Sequence, residues 1–325
     1  MKSIRNVNRL FLTFVLIYVL LYVVQTFMKI EIPLTVNASL LLSQALVLVP
    51  TGIWLVAGKT KITELVPFKK ISISTVFMVI LFTYLMMPLI TVINAISMLY
   101  STNLVSETTA LMTENPLWLN VLLMAVIPAI SEEFVFRGIF YQTYRRKNVI
   151  QGAIGCGIVF GLMHMNFNQF SYALVLGLIF AFLIEATGSI FAPMIAHFII
   201  NNNSVVLMEL LARMQKADVF QTDAAGESAQ MIQTVSDVPA QQMAYMIVML
   251  MIAATFTTLM AVAVYLWITR KCGTSEHIRG IFMPGVFMPG VFRRADESKP
   301  RTIVSVPFLI AAAISIMFMI MTEMM

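Results

Sequence analysis

The sequence predicts an all-α fold, a polytopic bundle of about eight to nine transmembrane helices with its N-terminus in the cytoplasm. Three observations carry that prediction. Of 325 residues, 59% are hydrophobic and only 11% charged, with mean hydropathy +0.88, more apolar surface than a water-soluble fold can hide. Apolar runs of about 20 residues, the length needed to cross a hydrocarbon layer of roughly 30 Å, recur along the whole chain. Positive charges gather in alternate loops, as the positive-inside rule requires.

Taken in order, the candidate spans lie near 10–28, 39–57, 74–98, 117–143, 150–166, 169–186, 190–212, 242–268 and 303–322. The first follows a basic stretch, Met1 to Arg9, but is too long for a signal-peptide core and lacks a small-residue cleavage site, so it reads as a retained helix. The fourth is long enough to project beyond the membrane. A polar turn around Asn166 and Asn168 separates the fifth from the sixth. Gly155, Gly157 and Gly161 in the fifth would let a neighbouring helix approach closely. With the N-terminus inside, the cytoplasmic segments carry Lys59, Lys61, Lys69 and Lys70, then Arg145, Arg146 and Lys147, then the basic residues of 269–302. The opposite side holds Lys29, Arg213 and Lys216. The chain divides into N-terminal transmembrane helices (1–114), a helical core (115–212), and a C-terminal part (213–325) with a polar extracytoplasmic loop, further spans and a basic cytoplasmic loop. That last loop holds a tandem duplication, Phe282 to Val286 and Phe287 to Val291, whose Pro-Gly pairs read as successive turns.

The net charge of +5 is accounted for by these loops and implies no nucleic-acid partner. Cys156 sits in an apolar run and Cys272 in a basic loop, so neither a disulfide framework nor a thiolate metal site is expected. The four aspartates, Asp218, Asp223, Asp237 and Asp296, all fall in loops, which removes an intramembrane aspartyl dyad. There is no His-Glu-x-x-His, nucleophile elbow, phosphate loop or dinucleotide fingerprint.

Ionisable and amide groups inside the spans therefore carry the chemistry, because each must offset its desolvation. The fourth span contains Glu132, Glu133 and Arg137. Glu133 precedes Arg137 by four residues, the favourable order for an intrahelical ion pair. Glu132 is rotated about 100° away and is left facing a neighbouring helix. Helix-to-helix packing is the alternative use of all three. The fifth span ends in His164, and the seventh presents His197 and Asn201 one turn apart, followed by Asn202 and Asn203. Convergence of polar groups from three spans points to a site. Pro128 and Pro193 each lie four residues before a site residue, and a proline inside a helix frees a backbone carbonyl.

Glu132-Glu133-x-x-x-Arg137, Phe160-x-x-x-His164 and His197-x-x-x-Asn201 resemble the three ordered motifs of the CPBP intramembrane proteases, a family of CAAX prenyl endopeptidases and bacteriocin-processing or self-immunity proteins. The resemblance spans residues near 117–205 and is to bacterial-type members. It implies a metal-free glutamate endopeptidase of the cell membrane, its catalytic core in 115–212, with Glu132 as general base. His164 would hold the attacking water, and His197 and Asn201 would donate to the developing oxyanion. Glu133 and Arg137 would support them. The alternatives are a zinc form with Glu132, His164 and His197 as ligands, and a non-catalytic membrane immunity or scaffold protein. A transporter using the buried charges as a proton relay is a third class. The implied partners are membrane lipid and a membrane-associated peptide or protein; oligomeric state is unspecified.

Overall fold

In the computed structural model, residues 4–27, 34–101, 115–216, 240–282 and 302–324 are described. All regular structure among them is helical. The long helices are α1 (Ile4–Phe27), α2 (Val36–Ala57), α4 (Ile73–Ser97), α5 (Leu117–Tyr144), α7 (Phe167–Thr187), α8 (Phe191–Lys216), α9 (Ala240–Cys272) and α11 (Val306–Glu323). Shorter pieces are α3 (Ile62–Leu65), α6 (Val149–Leu162) and α10 (Ser275–Phe282). Eight of the described helices are long and apolar enough to cross a membrane, which makes this a multi-pass integral membrane protein. The duplicated Pro-Gly segment beyond Phe282 and the polar loop after Lys216 lie outside the described residues, as do all four aspartates.

The candidate span near 150–166 differs from expectation. Its helix, α6, stops at Leu162 after 14 residues, about 21 Å at 1.5 Å per residue and short of a full crossing. The cause is local. Asn166 caps the following helix, its side chain accepting from the Gln169 amide at 3.0 Å, so the chain turns back within the apolar layer. Asn168 then ties the turn to α4 through Asn94 (3.0 Å) and Ser97 (2.6 Å).

The resulting α6–α7 hairpin is the closest-packed pair near the site. A Cβ on Gly177 would lie 2.5 Å from the Gly157 Cα, and one on Gly157 would lie 2.8 Å from the Leu174 carbonyl. The two backbones touch, which only glycine allows, as the sequence predicted for α6. At the far end of α7, Gly188 takes a left-handed conformation (φ 67°) as its C-cap. The chain then enters α8 while pinned to the 66–69 segment, through Ile190 N–H to the Pro67 carbonyl (3.0 Å) and Ser189 to the Lys69 carbonyl. These ties set the start of α8, and with it the placement of His197 two turns further on.

Helix α5 is not uniform. Leu122–Val126 and Glu133–Tyr141 are π-helical. Pro128 has no amide hydrogen to offer the carbonyl of Met124, four residues earlier, and the first π stretch includes that carbonyl. The consequence appears at the site.

Candidate active site

Glu133 and Arg137 make the expected pair. Arg137 Nη1 donates to Glu133 Oε1 at 2.8 Å, and both side chains are wholly buried. A buried ion pair is stable only if its remaining groups are compensated. The Arg137 guanidinium lies between two rings, 4.2 Å from the Phe160 centroid and 4.9 Å from that of Phe180, so cation–π attraction serves the nitrogens that lack hydrogen bonds. Glu133 Oε1 also meets His197 Nδ1 at 2.8 Å. A carboxylate accepts only, so Nδ1 carries the proton and Nε2 is left facing the other side of the ring.

That other side holds Glu132. Its Oε2 is 3.9 Å from His197 Nε2. Unlike Glu133, it keeps 17% of its side chain exposed. Glu132, His164, His197 and Asn201 line one chamber of about 500 Å³, together with Gln44, Asn94, Gln169, Tyr172 and Asn203. The sequence placed these four on three separate spans, and the fold brings them to one wall-to-wall space.

His164 is oriented by its own helix. Its Nδ1 lies 2.9 Å from the Phe160 carbonyl, an acceptor, so this nitrogen is protonated and Nε2 is again the outward one. The imidazole stands edge-on to the Phe160 ring at 5.0 Å. Phe160 thus holds Arg137 on its face and touches both histidines, the second at 6.2 Å, which explains an aromatic residue four before His164. Asn201 Nδ2 donates to the Met124 carbonyl at 3.0 Å. This is the carbonyl that Pro128 cannot satisfy. One amide hydrogen of Asn201 is thereby used and the second remains available.

Two residues of the site escaped the sequence reading. Gln44 of α2 donates from Nε2 to Glu132 Oε1 at 3.1 Å, and the Ser131 hydroxyl donates to Gln44 Oε1. The available signal was a lone carboxamide in an otherwise apolar span, though nothing in the sequence pairs it with a residue 88 positions away. His277 does not line the chamber and is engaged elsewhere. It reaches Glu185 of α7, which also accepts from the Tyr141 hydroxyl (2.6 Å) and from Arg145 Nη2 (2.8 Å).

The metal alternative needs Glu132, His164 and His197 around one point. Among the described residues no three His, Cys, Asp or Glu side chains converge closely enough to hold an ion. Cys156, fully buried, points its thiol at the Phe136 carbonyl, 3.2 Å away.

Comparison with known proteins finds similarity over the stretch of chain that carries these residues. Residues 114–202 match the family described as Type II CAAX prenyl endopeptidase Rce1-like. A relative from Bacillus subtilis (strain 168), YdiL, named as a proposed membrane peptidase, is 29% identical over 93 residues, which is 28% of this chain and 38% of that protein. The chain therefore spans well under half the length of that curated relative. No solved structure matches.

Proposed function

We propose that the protein, whose residues 114–202 resemble the type II CAAX prenyl endopeptidases, is an intramembrane endopeptidase in which Glu132 activates water. The observation that carries this reading is the unequal use of two adjacent acids. Glu133 is spent on Arg137 and His197, while Glu132 turns its Oε2 into a chamber shared with both histidines and Asn201.

The chemistry follows from those positions. A water between Glu132 Oε2 and the imidazoles gives its proton to the carboxylate as its oxygen attacks the peptide carbonyl carbon. His164, with Nε2 facing the chamber, holds that water. The carbonyl oxygen gains negative charge beside Asn201, whose second amide hydrogen can donate to it. His197 Nε2 donates there when its ring carries both protons. Fixed dipoles in a dry site stabilise such charge without reorganising. The C–N bond then breaks, and Glu132 returns its proton to the leaving amine nitrogen. A 500 Å³ chamber admits a short extended segment of chain, which suits a membrane-associated peptide.

The test uses purified protein in proteoliposomes with quenched-fluorescent apolar peptides, some farnesylated at a C-terminal CAAX cysteine and some unmodified. General-base catalysis contributes about 10²–10⁴-fold, so Glu132→Gln should lower kcat by at least about 10²-fold while the variant inserts and melts normally. Cleavage retained by Glu132→Gln would reject the mechanism. Loss of activity to chelators with recovery on adding Zn²⁺ would install the metal form. Cleavage of no peptide by either protein would favour the non-catalytic immunity or scaffold reading.

A further inference from the structure

Gln44 stands outside the segment that matches the family, yet it touches the acid on which the proposed reaction turns. We propose that Gln44 is a positioning residue for that reaction: its carboxamide, set against Ser131, holds one oxygen of Glu132 and so aims the other into the chamber. The inference rests on the reading of Glu132 as the base.

A glutamate side chain has three rotatable bonds, and the chamber that Glu132 lines includes apolar residues such as Leu40, Leu123, Met124 and Pro128, which cannot hold a carboxylate. Little else there could fix the carboxylate. Among the described residues Gln44 Nε2, at 3.1 Å, is the one side-chain donor to Glu132 Oε1. A carboxamide can be placed either way round, and the carboxylate chooses here. An ionised carboxylate requires a donor facing it, which turns Gln44 Oε1 toward the Ser131 hydroxyl, itself also 2.8 Å from the Ile127 carbonyl. Ser131 is adjacent to Glu132 in sequence and is buried, so the hydroxyl that meets Gln44 travels with the acid.

The register of α2 against α5 is set independently of this contact. Seven residues before Gln44, on the same face of α2, Asn37 and Asn115 exchange hydrogen bonds at 2.8 and 3.2 Å, and Asn115 continues to Asn120 at 3.0 Å. Seven residues after it, Thr51 is buried on that face. The amide ladder thus delivers Gln44 to the level of Glu132 whether or not the two interact.

The experiment separates aim from architecture. Gln44→Met keeps the length of the side chain and removes the donor. It should lower kcat about tenfold with KM within twofold of wild type, because a hydrogen bond to a charged group is lost without disturbing substrate contacts. Ser131→Ala, which keeps Gln44 but removes the hydroxyl beside its Oε1, should cost about threefold. An independent readout is infrared: the carboxylate band of Glu132, isolated by subtracting the spectrum of Glu132→Gln, should move in Gln44→Met. An unchanged kcat with an unmoved band overturns the proposal. A fall in kcat accompanied by a lower melting temperature and an unmoved band also overturns it, since Gln44 is then only filling space. If wild type cleaves no peptide that Glu132→Gln spares, the hydrolase reading itself fails and the positioning role falls with it, while the band still reports whether the two side chains are joined.

Discussion

Glu185, near the end of α7, and Glu132, in the wall of the chamber, are two carboxylates used in opposite ways. Glu185 is saturated: Tyr141, both ends of the Arg145 guanidinium and His277 converge on its two oxygens, and its side chain has no exposed surface. Among the described residues Glu132 has a single side-chain donor on one oxygen and a histidine nitrogen 3.9 Å from the other. Withdrawing either carboxylate from water costs desolvation. The difference teaches that burial of a charge does not by itself mark chemistry. A saturated acid is tied into the fold; an acid with one oxygen left for a reactant is equipped to act.

Exchanging each acid for leucine is the sharpest way to break that contrast. Glu185→Leu strands Arg145 and leaves the Tyr141 hydroxyl unpaired, and breaking a buried pair costs about 3–5 kcal/mol. Thermal unfolding in detergent should show that loss, while the protein that remains folded keeps its kcat. Glu132→Leu should change stability by less than about 1 kcal/mol, or raise it, because a poorly satisfied acid gives way to an apolar group, yet it should abolish cleavage. Equal destabilisation by the two substitutions would erase the distinction between them.

A weaker effect comes from the α6–α7 hairpin, which carries His164 at its turn and Glu185 near its far end. Gly177→Val would push side-chain carbon against the Gly157 backbone, which cannot rotate away, at a cost of about 1–3 kcal/mol. Because the helices splay as units, activity and stability should fall together, in contrast to either acid variant. The smallest effect is expected for Pro128→Ala. It supplies the amide hydrogen that Met124 lacks, so the Met124 carbonyl no longer needs Asn201. Stability should hold within about 0.5 kcal/mol, and kcat should drop a few-fold as the Asn201 amide loses its orientation. A kcat equal to wild type would show that the proline serves the helix and not the site.

Much of the membrane architecture was legible residue by residue. Span positions followed from runs of apolar residues, and the Glu133–Arg137 pair from a four-residue spacing. The exclusion of Glu132 from that pair followed from a rotation of one residue. Each is a property of one helix, which local sequence dictates. The short α6 was misjudged because hydropathy continues through Met163 and Met165 while the break is made by Asn166 capping the next helix. Gln44 was invisible for a different reason. Its partner lies on another span, and a single amide in an apolar run looks the same whether it faces a carboxylate, a backbone carbonyl or a headgroup.

What this sequence determined by itself is its solvent, its helices and the inventory of groups that can take part in acid–base chemistry, since hydrophobicity and helical periodicity act over one element at a time. Only the tertiary structure decided which of those groups meet. The tautomer of His197 was chosen by Glu133, the amide of Asn201 was claimed by the carbonyl that Pro128 exposes, and one oxygen of Glu132 was taken by Gln44. Hydrogen bonds are directional and short-ranged, so those choices do not exist until separate helices are packed within 3 Å of one another.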